Sequence, residues 1–108
     1  MHETPKAYFE NHLAETLRGN PDKGKTINAI VQFKITGGNA GDWTVDTTLT
    51  PSTVAVGVHA TPKCTFTIVD TDFMDIVNKK LHGQMAFMQG KLKVAGDMSI
   101  ALKIGTLL

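Results

Sequence analysis

The sequence predicts an α+β fold in which an antiparallel sheet packs against helices. Two observations lead to this prediction. Four stretches between residues 27 and 69 alternate apolar and polar side chains, whereas the stretches before and after them repeat apolar side chains every three or four residues. The length of 108 residues is enough to bury a core without disulfides. We therefore expect residues 1–108 to form a single domain.

The first predicted element is an amphipathic helix near the amino terminus. Thr4 can cap this helix. Phe9, Leu13 and Leu17 then recur at intervals of four and form a stripe that needs an apolar surface to cover it. We expect residues 19–21 to end the helix, because they contain a glycine and a proline.

Four predicted strands follow, each with one apolar face. The first strand begins at residue 27, and the glycine-rich stretch at 37–42 predicts a hairpin loop after it. This loop lacks the spacing of a phosphate-binding loop and precedes a strand, so phosphate binding is not expected. The short connections predict an antiparallel meander. The apolar faces contain Ile27, Ala29, Val31, Phe33 and Ile35; Trp43, Val45, Thr47 and Leu49; Val54, Val56 and Val58; and Cys64, Phe66 and Ile68.

The last part of the chain is predicted to form helix, strand and helix. Asp70 can cap a second helix whose apolar spacing continues to Leu81. Residues 83–90 are expected to form a soft apolar turn, and residues 91–95 a fifth strand. Asp97 caps the last helix, whose side chains are apolar on almost every side. We expect that helix to be buried on two sides, as a lid over the sheet.

Charge and composition exclude several classes of function. Eleven Lys and Arg residues against ten Asp and Glu residues give a net charge of +1, with both signs interspersed, which argues against nucleic acid as a partner. No stretch approaches the length of a membrane span. The first residues lack the apolar core of a secretory signal, so we expect the protein in the cytoplasm.

The residues capable of nucleophilic or metal chemistry are scattered. Four histidines lie in separate predicted elements without the spacing of a metal site, so no metal is expected. They are His2, His12, His59 and His82. Cys64 has no adjacent base, and we interpret it as a small buried residue rather than a nucleophile. The sequence therefore predicts that the protein uses no cofactor and is not an enzyme.

The methionines are concentrated towards the carboxyl terminus. Four of the five lie within 25 consecutive residues, and methionine adapts its shape to irregular space. Each one alone is more typical of an ordinary core. Together with nearby aromatic residues they are consistent with a pocket for an apolar ligand. The residues concerned are Met74, Met85, Met88 and Met98, with Trp43, Phe73 and Phe87.

Three motifs resemble a known family. The first is Trp43 with the residues that follow it in the second predicted strand, and the second is the passage from strand to helix at 64–73. The most distinctive motif spans residues 87–97 and reads FMQGKLKVAGD. On these motifs the chain resembles the sterol carrier protein type 2 family over nearly its whole length.

The resemblance implies a five-stranded sheet with helices over one face and a hydrophobic tunnel between them. In that family the tunnel takes sterols, fatty acids, acyl-CoA or phospholipids, so the resemblance implies lipid carriage and not catalysis. It also implies tunnel contacts for Trp43, Phe73, Phe87 and Gln89, with Gln89 as a polar group inside. The periodicity of the sequence adds further candidates for lipid binding: Phe33, Ile76, Val77, Leu81, Met85, Met88, Met98 and Leu102.

Two departures from the family affect the turn that leads to the tunnel. Lys79 stands where the family often has glycine, and His82-Gly83 stands where Asn-Pro is common. We therefore expect the tunnel mouth of this chain to differ from that of its relatives.

Other functions remain open beside lipid carriage. A protein-interaction module would dock through the apolar carboxyl-terminal helix and would have an exposed patch without an enclosed cavity. A small enzyme with a lipid pocket would need a buried acid or base, whereas the acidic residues lie at caps, turns and strand surfaces. Transient membrane contact would require lysines that share a face, although solvated lysines are more typical. The lysines concerned are Lys79, Lys80, Lys91 and Lys93.

Overall fold

A five-stranded sheet forms the centre of the protein. The computed structural model describes residues 4–49, 52–59 and 61–107, with side chains through residue 105. The strands are β1 (Ile30–Thr36), β2 (Gly41–Asp46), β3 (Thr53–Val56), β4 (Cys64–Val69) and β5 (Leu92–Gly96). Their order is β3-β2-β1-β4-β5, with β1 and β4 parallel and the other three neighbouring pairs antiparallel. The predicted α+β fold with a five-stranded, mostly antiparallel sheet is confirmed.

Helices pack on the sheet face that carries Phe33 and Trp43. Ring contacts join Phe9 of the first helix and Phe73 of a later helix to Phe33. The first helix, α1, is continuous through an α-helical turn, a π-helical segment and a second α-helical segment. The bounds are Pro5–Ala7, Tyr8–Leu13 and Ala14–Gly19 for α1, then Pro21–Ile27 (α2), Asp70–Val77 (α3), Gly83–Met88 (α4) and Met98–Leu107 (α5).

The predicted amino-terminal helix is confirmed, together with its cap and its apolar stripe. The backbone N–H of Ala7 donates a hydrogen bond of 3.1 Å to Thr4 Oγ1. Phe9, Leu13 and Leu17 are each at most 1% exposed. The stripe therefore anchors α1 in the core.

The second helix, α2, is absent from the sequence prediction. Pro21 follows a glycine and an asparagine, a pattern that predicts the end of α1, but it occupies the first turn of α2, where a missing N–H is tolerated. Asn28 ends α2 in the left-handed conformation, with φ of 46°. Ile27, which we expected in the first strand, is therefore the last residue of this helix, and β1 begins at Ile30.

The predicted four-strand meander is wrong for its last strand. β1, β2 and β3 form an antiparallel meander, but the chain then crosses the sheet, and β4 pairs with β1 in parallel. Gln32 holds this crossover: its Nε2 donates to the carbonyl of Gly57 (3.2 Å), and its Oε1 accepts from the N–H of His59 (2.7 Å). Gln32 is 1% exposed, although alternation alone indicates a solvent-facing residue.

Several residues near the strand ends are less buried than alternation predicts. Leu49 lies beyond β2 and Val58 lies beyond β3, and both are exposed. Val56 is exposed on β3, which is an edge strand. Thr47, by contrast, is buried, and it extends the pairing of β1 and β2 beyond the end of β2. Its hydroxyl donates to the carbonyl of Ala29 at 2.7 Å and accepts from the N–H of Ala29 at 2.8 Å.

The carboxyl-terminal helices differ from the prediction in three respects. The helix α3 ends at Val77, so Leu81 lies in the following turn. The segment expected to be a soft turn contains the short helix α4. In α5, Ile104 is buried, whereas Met98 and Leu102 are exposed. The expected two-sided burial of the last helix is therefore wrong, because one of its sides faces solvent. The predicted fifth strand is confirmed as β5.

Asp70 joins the loop between β1 and β2 to the start of α3. It is the first residue of α3 rather than its cap, and its carboxylate accepts hydrogen bonds of 2.9 Å from the N–H groups of Asn39 and Thr71. Gly37, with φ of +100°, leaves room for this carboxylate, which an added Cβ would meet. The hydrogen bond from Asn39, reinforced by that from Thr71, lowers the pKa of Asp70 although burial opposes it.

Asp70→Asn is expected to destabilise the protein most near neutral pH. Because the pKa of Asp70 is lower in the folded state than the ordinary value of about 3.9, its stabilising effect is present above that pH and is lost as the pH falls through the folded-state value. Urea denaturation of both proteins near pH 7 and near pH 2 measures this effect. The difference in unfolding free energy should shrink at the lower pH, and a difference that persists there contradicts the assignment. Asp42→Asn, at a half-buried carboxylate, is the control.

Candidate functional site

A cavity of about 440 Å³ lies between the sheet and the helices α3, α4 and α5. Its floor is a row of side chains on three adjacent strands. Phe33 of β1 lies beside Phe66 of β4. Phe66 in turn lies beside Val94 of β5, and Ile68 lies beside Leu92. The complete lining consists of Phe33, Phe66, Ile68, Phe73, Ile76, His82, Gly83, Gln84, Phe87, Leu92, Val94, Met98, Ala101, Leu102, Ile104 and Gly105.

Stacked aromatic rings form the inner wall of the cavity. Phe33 and Phe66 stack with their ring centroids 5.2 Å apart and their planes 14° apart. Phe73, which also lines the cavity, stacks on Phe9 at 5.1 Å. The other face of the cluster is closed by Trp43, which stacks on Phe9 at 4.9 Å. Because these rings are buried and packed against one another, the inner wall is expected to be rigid.

The outer part of the cavity is bordered by exposed side chains. Phe87 of α4 and Met98 and Leu102 of α5 are 44%, 47% and 70% exposed, yet each of them lines the cavity. His82 and Gln84 at the start of α4 are exposed as well. We refer to these five residues as the rim. The rim makes the cavity accessible from solvent between α4 and α5.

Half of the residues predicted to bind lipid line this cavity. The six that do are Phe33, Phe73, Ile76, Phe87, Met98 and Leu102. The structure places the other six outside the lining: Trp43, Val77, Leu81, Met85, Met88 and Gln89. Val77 is buried in the core, and Leu81 is partly buried and packs against the core. Met85, Met88 and Gln89 are exposed. Contact of any of these residues with a ligand stays a prediction.

Trp43 lies behind the cavity lining, paired across the strands with the lining residue Phe33 and stacked on Phe9. Its side chain is 5% exposed and is stacked on Phe9. The indole Nε1–H donates a hydrogen bond of 3.3 Å to Glu10 Oε2. Trp43 therefore supports the aromatic wall from behind, and alternation along β2 predicts its burial without revealing which ring covers it.

Ten lining residues were not among the predicted site residues. Phe66, Ile68 and Val94 lie on strands that the sequence predicts, but their convergence depends on the parallel pairing of β1 with β4. Ala101 and Ile104 lie on the buried side of α5, and the all-apolar pattern of that helix gives no reason to choose them. His82 and Gly83 were indicated only as a departure from the family at the tunnel mouth, and Gln84 lies in the segment expected to be a turn, so neither polar side chain was predicted to line the cavity.

The residues with perturbed ionisation lie outside the cavity lining. Burial raises the pKa of Tyr8 to about 12. Burial, and secondarily the charge of Asp97, raises the pKa of the Cys64 thiol, which keeps it protonated and weakly nucleophilic. Among the described residues of the lining, His82 is the only one with an acidic or basic side chain. The cavity therefore offers shape and apolar surface rather than acid–base groups.

The described residues contain neither a candidate metal site nor a candidate membrane span. Within 4–49, 52–59 and 61–107, no three His, Cys, Asp or Glu side chains are grouped so as to hold a metal ion. None of the helices in this part of the chain combines the length and the apolar character needed to cross a lipid bilayer.

The cavity is built from segments that match a known family. The model of the SCP-2 sterol transfer family matches residues 10–108. The chain belongs to this family. The resemblance that the sequence motifs indicate is thereby confirmed, and helices α3 to α5, which enclose the cavity, lie inside the matched range.

Curated relatives are similar to this chain in sequence, and a solved structure of the family is similar to it in fold. Sterol carrier protein 2 of Gallus gallus is 38% identical over 108 residues, covering 92% of this chain and 20% of that protein. Peroxisomal multifunctional enzyme A of Dictyostelium discoideum is also 38% identical over 108 residues, covering 94% of this chain and 24% of that protein. The chain thus spans less than a quarter of the length of these curated relatives. The solution structure of palmitated SCP2L2 from Aedes aegypti has a TM-score of 0.79 and 25% identity, covering 97% of this chain and 94% of that one.

Proposed function

We propose that this chain binds a lipid in the cavity between the sheet and α3 to α5. We propose further that it acts as a lipid carrier, which takes up the lipid and later releases it. The observation that supports the proposal is a cavity of about 440 Å³ whose lining includes no Asp, Glu, Lys or Arg side chain. Ligand pockets range from about 300 to 1,000 Å³. Each buried methylene of an acyl chain contributes about 0.8 kcal/mol in such surroundings, so a long apolar chain is the occupant that this lining favours.

Membership of the SCP-2 family and one solved structure support the same proposal. SCP2L2 of Aedes aegypti, which shares the fold, was solved in palmitated form. A fatty acid is therefore a reasonable first ligand for this chain. The proposed ligand classes are those that the family resemblance implies: sterols, fatty acids, acyl-CoA and phospholipids.

We propose carriage rather than catalysis for this part of the protein. The rim imidazole is exposed and has no nucleophile beside it in the lining, whereas acid–base or nucleophilic catalysis needs positioned partners. One relative is by name a multifunctional enzyme, of which the matched part is 24%. Any catalytic activity of a longer protein would therefore be expected from its other parts.

Palmitate is expected to raise the melting temperature of the delipidated protein by about 10 °C at a concentration near 100 times its Kd, because saturation at that level contributes about 2.7 kcal/mol. Differential scanning calorimetry of protein extracted with an apolar resin measures the shift. Hexadecane-1-sulfonate and a sterol in cyclodextrin provide parallel ligands. If none of them changes the melting temperature or displaces a fluorescent fatty acid, lipid carriage is wrong for this chain.

The alternative function, docking of a protein partner through α5, has one observation in its favour. Met98 and Leu102 expose apolar surface on α5. Both residues, however, also border the cavity, whereas an interaction module is expected to have an exposed patch without a cavity behind it. Lipid binding therefore accounts for more of the structure than docking does.

Three further expectations stay predictions. They are transient contact with a membrane surface during exchange, a location in the cytoplasm, and the action of residues 1–108 as a single domain. Among the segments around the cavity, residues 79–103 contain five Lys and one Asp, which supports contact with an anionic surface at about 1 kcal/mol for each lysine that reaches it.

A further inference from the structure

The polar side chains of the cavity lining are confined to one place. Of the sixteen lining residues, only His82 and Gln84 have polar side chains, and they flank Gly83 at the start of α4. Both are exposed. Within the described part of the chain, neither side chain forms a hydrogen bond with another protein group. Two hydrogen-bonding groups are therefore available to a ligand at the rim.

The interior of the cavity is apolar, in contrast to this part of the rim. Phe33, Phe73 and Ile104 line the cavity and are at most 2% exposed. A ligand in the cavity would meet buried aromatic and aliphatic carbon at its inner end and polar groups in contact with water at its outer end. Such an arrangement favours an amphiphile with its tail inside and its head at His82 and Gln84, because a buried head would lose its hydrogen bonds to water.

Charge near the rim favours an anionic head. Residues 70–103, which enclose the cavity, carry a formal charge of +1, because the three Asp of α3 offset most of the +4 of residues 79–103, which contain five Lys and one Asp. The one acidic side chain in that segment, Asp97, is engaged at the start of α5, where it accepts hydrogen bonds from the N–H and the hydroxyl of Ser99. The lysines of residues 79–103 favour the approach of an anion to the rim, and both an imidazole and a carboxamide can donate an N–H to a carboxylate.

We propose that His82 and Gln84 form a headgroup subsite that binds the carboxylate of a long-chain fatty acid. The tail of this ligand lies against the ring wall around Phe33, Phe66 and Phe73. This inference rests on the proposed function, and it adds the position and the chemistry of the head.

The test compares palmitate with hexadecanol, which has the same chain length and no charge. Competition against a fluorescent fatty acid gives both affinities for the wild type, for the double variant His82→Ala/Gln84→Ala and for Gln84→Glu. The preference of the wild type for palmitate is expected to fall about tenfold in the double variant, because hydrogen bonds to a charged group are worth about 1.5–3 kcal/mol. Gln84→Glu keeps the shape of the side chain and places a negative charge beside the carboxylate. It should therefore weaken the affinity for palmitate and leave the affinity for hexadecanol within about twofold of the wild-type value.

Asn11→Ala is the matched control, because Asn11 has an exposed carboxamide on α1 and lies outside the lining. It should retain the preference of the wild type. The subsite is overturned if the double variant and Gln84→Glu retain that preference, or if they lower the affinities for palmitate and hexadecanol equally. Failure of the wild type to bind either ligand would instead contradict the proposed function, and the subsite with it. Circular dichroism of each variant establishes that it is folded.

Discussion

Replacing Phe9 with alanine is expected to lower the free energy of unfolding by about 3–5 kcal/mol. The side chain is fully buried and stacks between Trp43 and Phe73, at 4.9 and 5.1 Å, while also contacting Phe33. Its removal would leave a void at the centre of the ring cluster. The total free energy of unfolding of a native protein is about 5–15 kcal/mol, so this loss is a large share of the stability.

Urea denaturation followed by circular dichroism measures this loss, since the fluorescence of Trp43 would itself change when Phe9 is removed. Phe87→Ala is the matched control. Phe87 is 44% exposed on the rim, so its truncation should cost only about 1 kcal/mol while weakening lipid binding. Equal destabilisation by the two substitutions would contradict the central role assigned to Phe9.

Replacing Ala101 with tryptophan is expected to abolish most of the lipid affinity while leaving the protein folded. Ala101 lies on α5 and lines the cavity, so an indole at this position would occupy space that a ligand needs. If the indole displaces about three methylene groups, at about 0.8 kcal/mol each, binding weakens about fiftyfold. The fold is expected to survive because the cavity offers room, whereas overpacking destabilises sites that are already filled.

Ala95→Trp is the control for this substitution. Ala95 is exposed on β5 and next to Val94, whose side chain lines the cavity, so Ala95 lies on the opposite face of the strand. Displacement of a fluorescent fatty acid should give a wild-type affinity for Ala95→Trp and a weak one for Ala101→Trp. Unchanged affinity in a folded Ala101→Trp protein would mean that the lipid does not bind in this cavity.

The sequence carries most of the information about the individual elements and much less about how they meet. Apolar spacing predicts the burial of Phe9 and of Phe66, because each lies on the single apolar side of a helix or a strand. It does not predict α2, because a proline is common both just after the end of a helix and in the first turn of a helix, and the sequence around Pro21 does not distinguish the two. It also does not predict the crossover after β3, because Gln32 resembles a solvent-facing residue until the crossover covers it.

The cavity lining was only partly predictable for the same reason. Phe33 and Phe73 were identified from apolar spacing and from family motifs. The convergence of Phe66 and Val94 on the same cavity depends on strand order, which involves contacts between residues far apart in sequence. Trp43 illustrates the converse: its motif and its burial are evident from the sequence, but only the packed structure shows that it stacks on Phe9 of α1 and does not line the cavity.

The most direct test of lipid binding in this cavity is an isotope-filtered NOE experiment on the protein with ¹³C-labelled palmitate. We expect intermolecular NOEs from the acyl chain to Phe33, Phe66 and Ile104, which line the interior of the cavity. NOEs to Val56 and Val58 near the exposed β3 edge, with none to those three interior residues, would contradict the account.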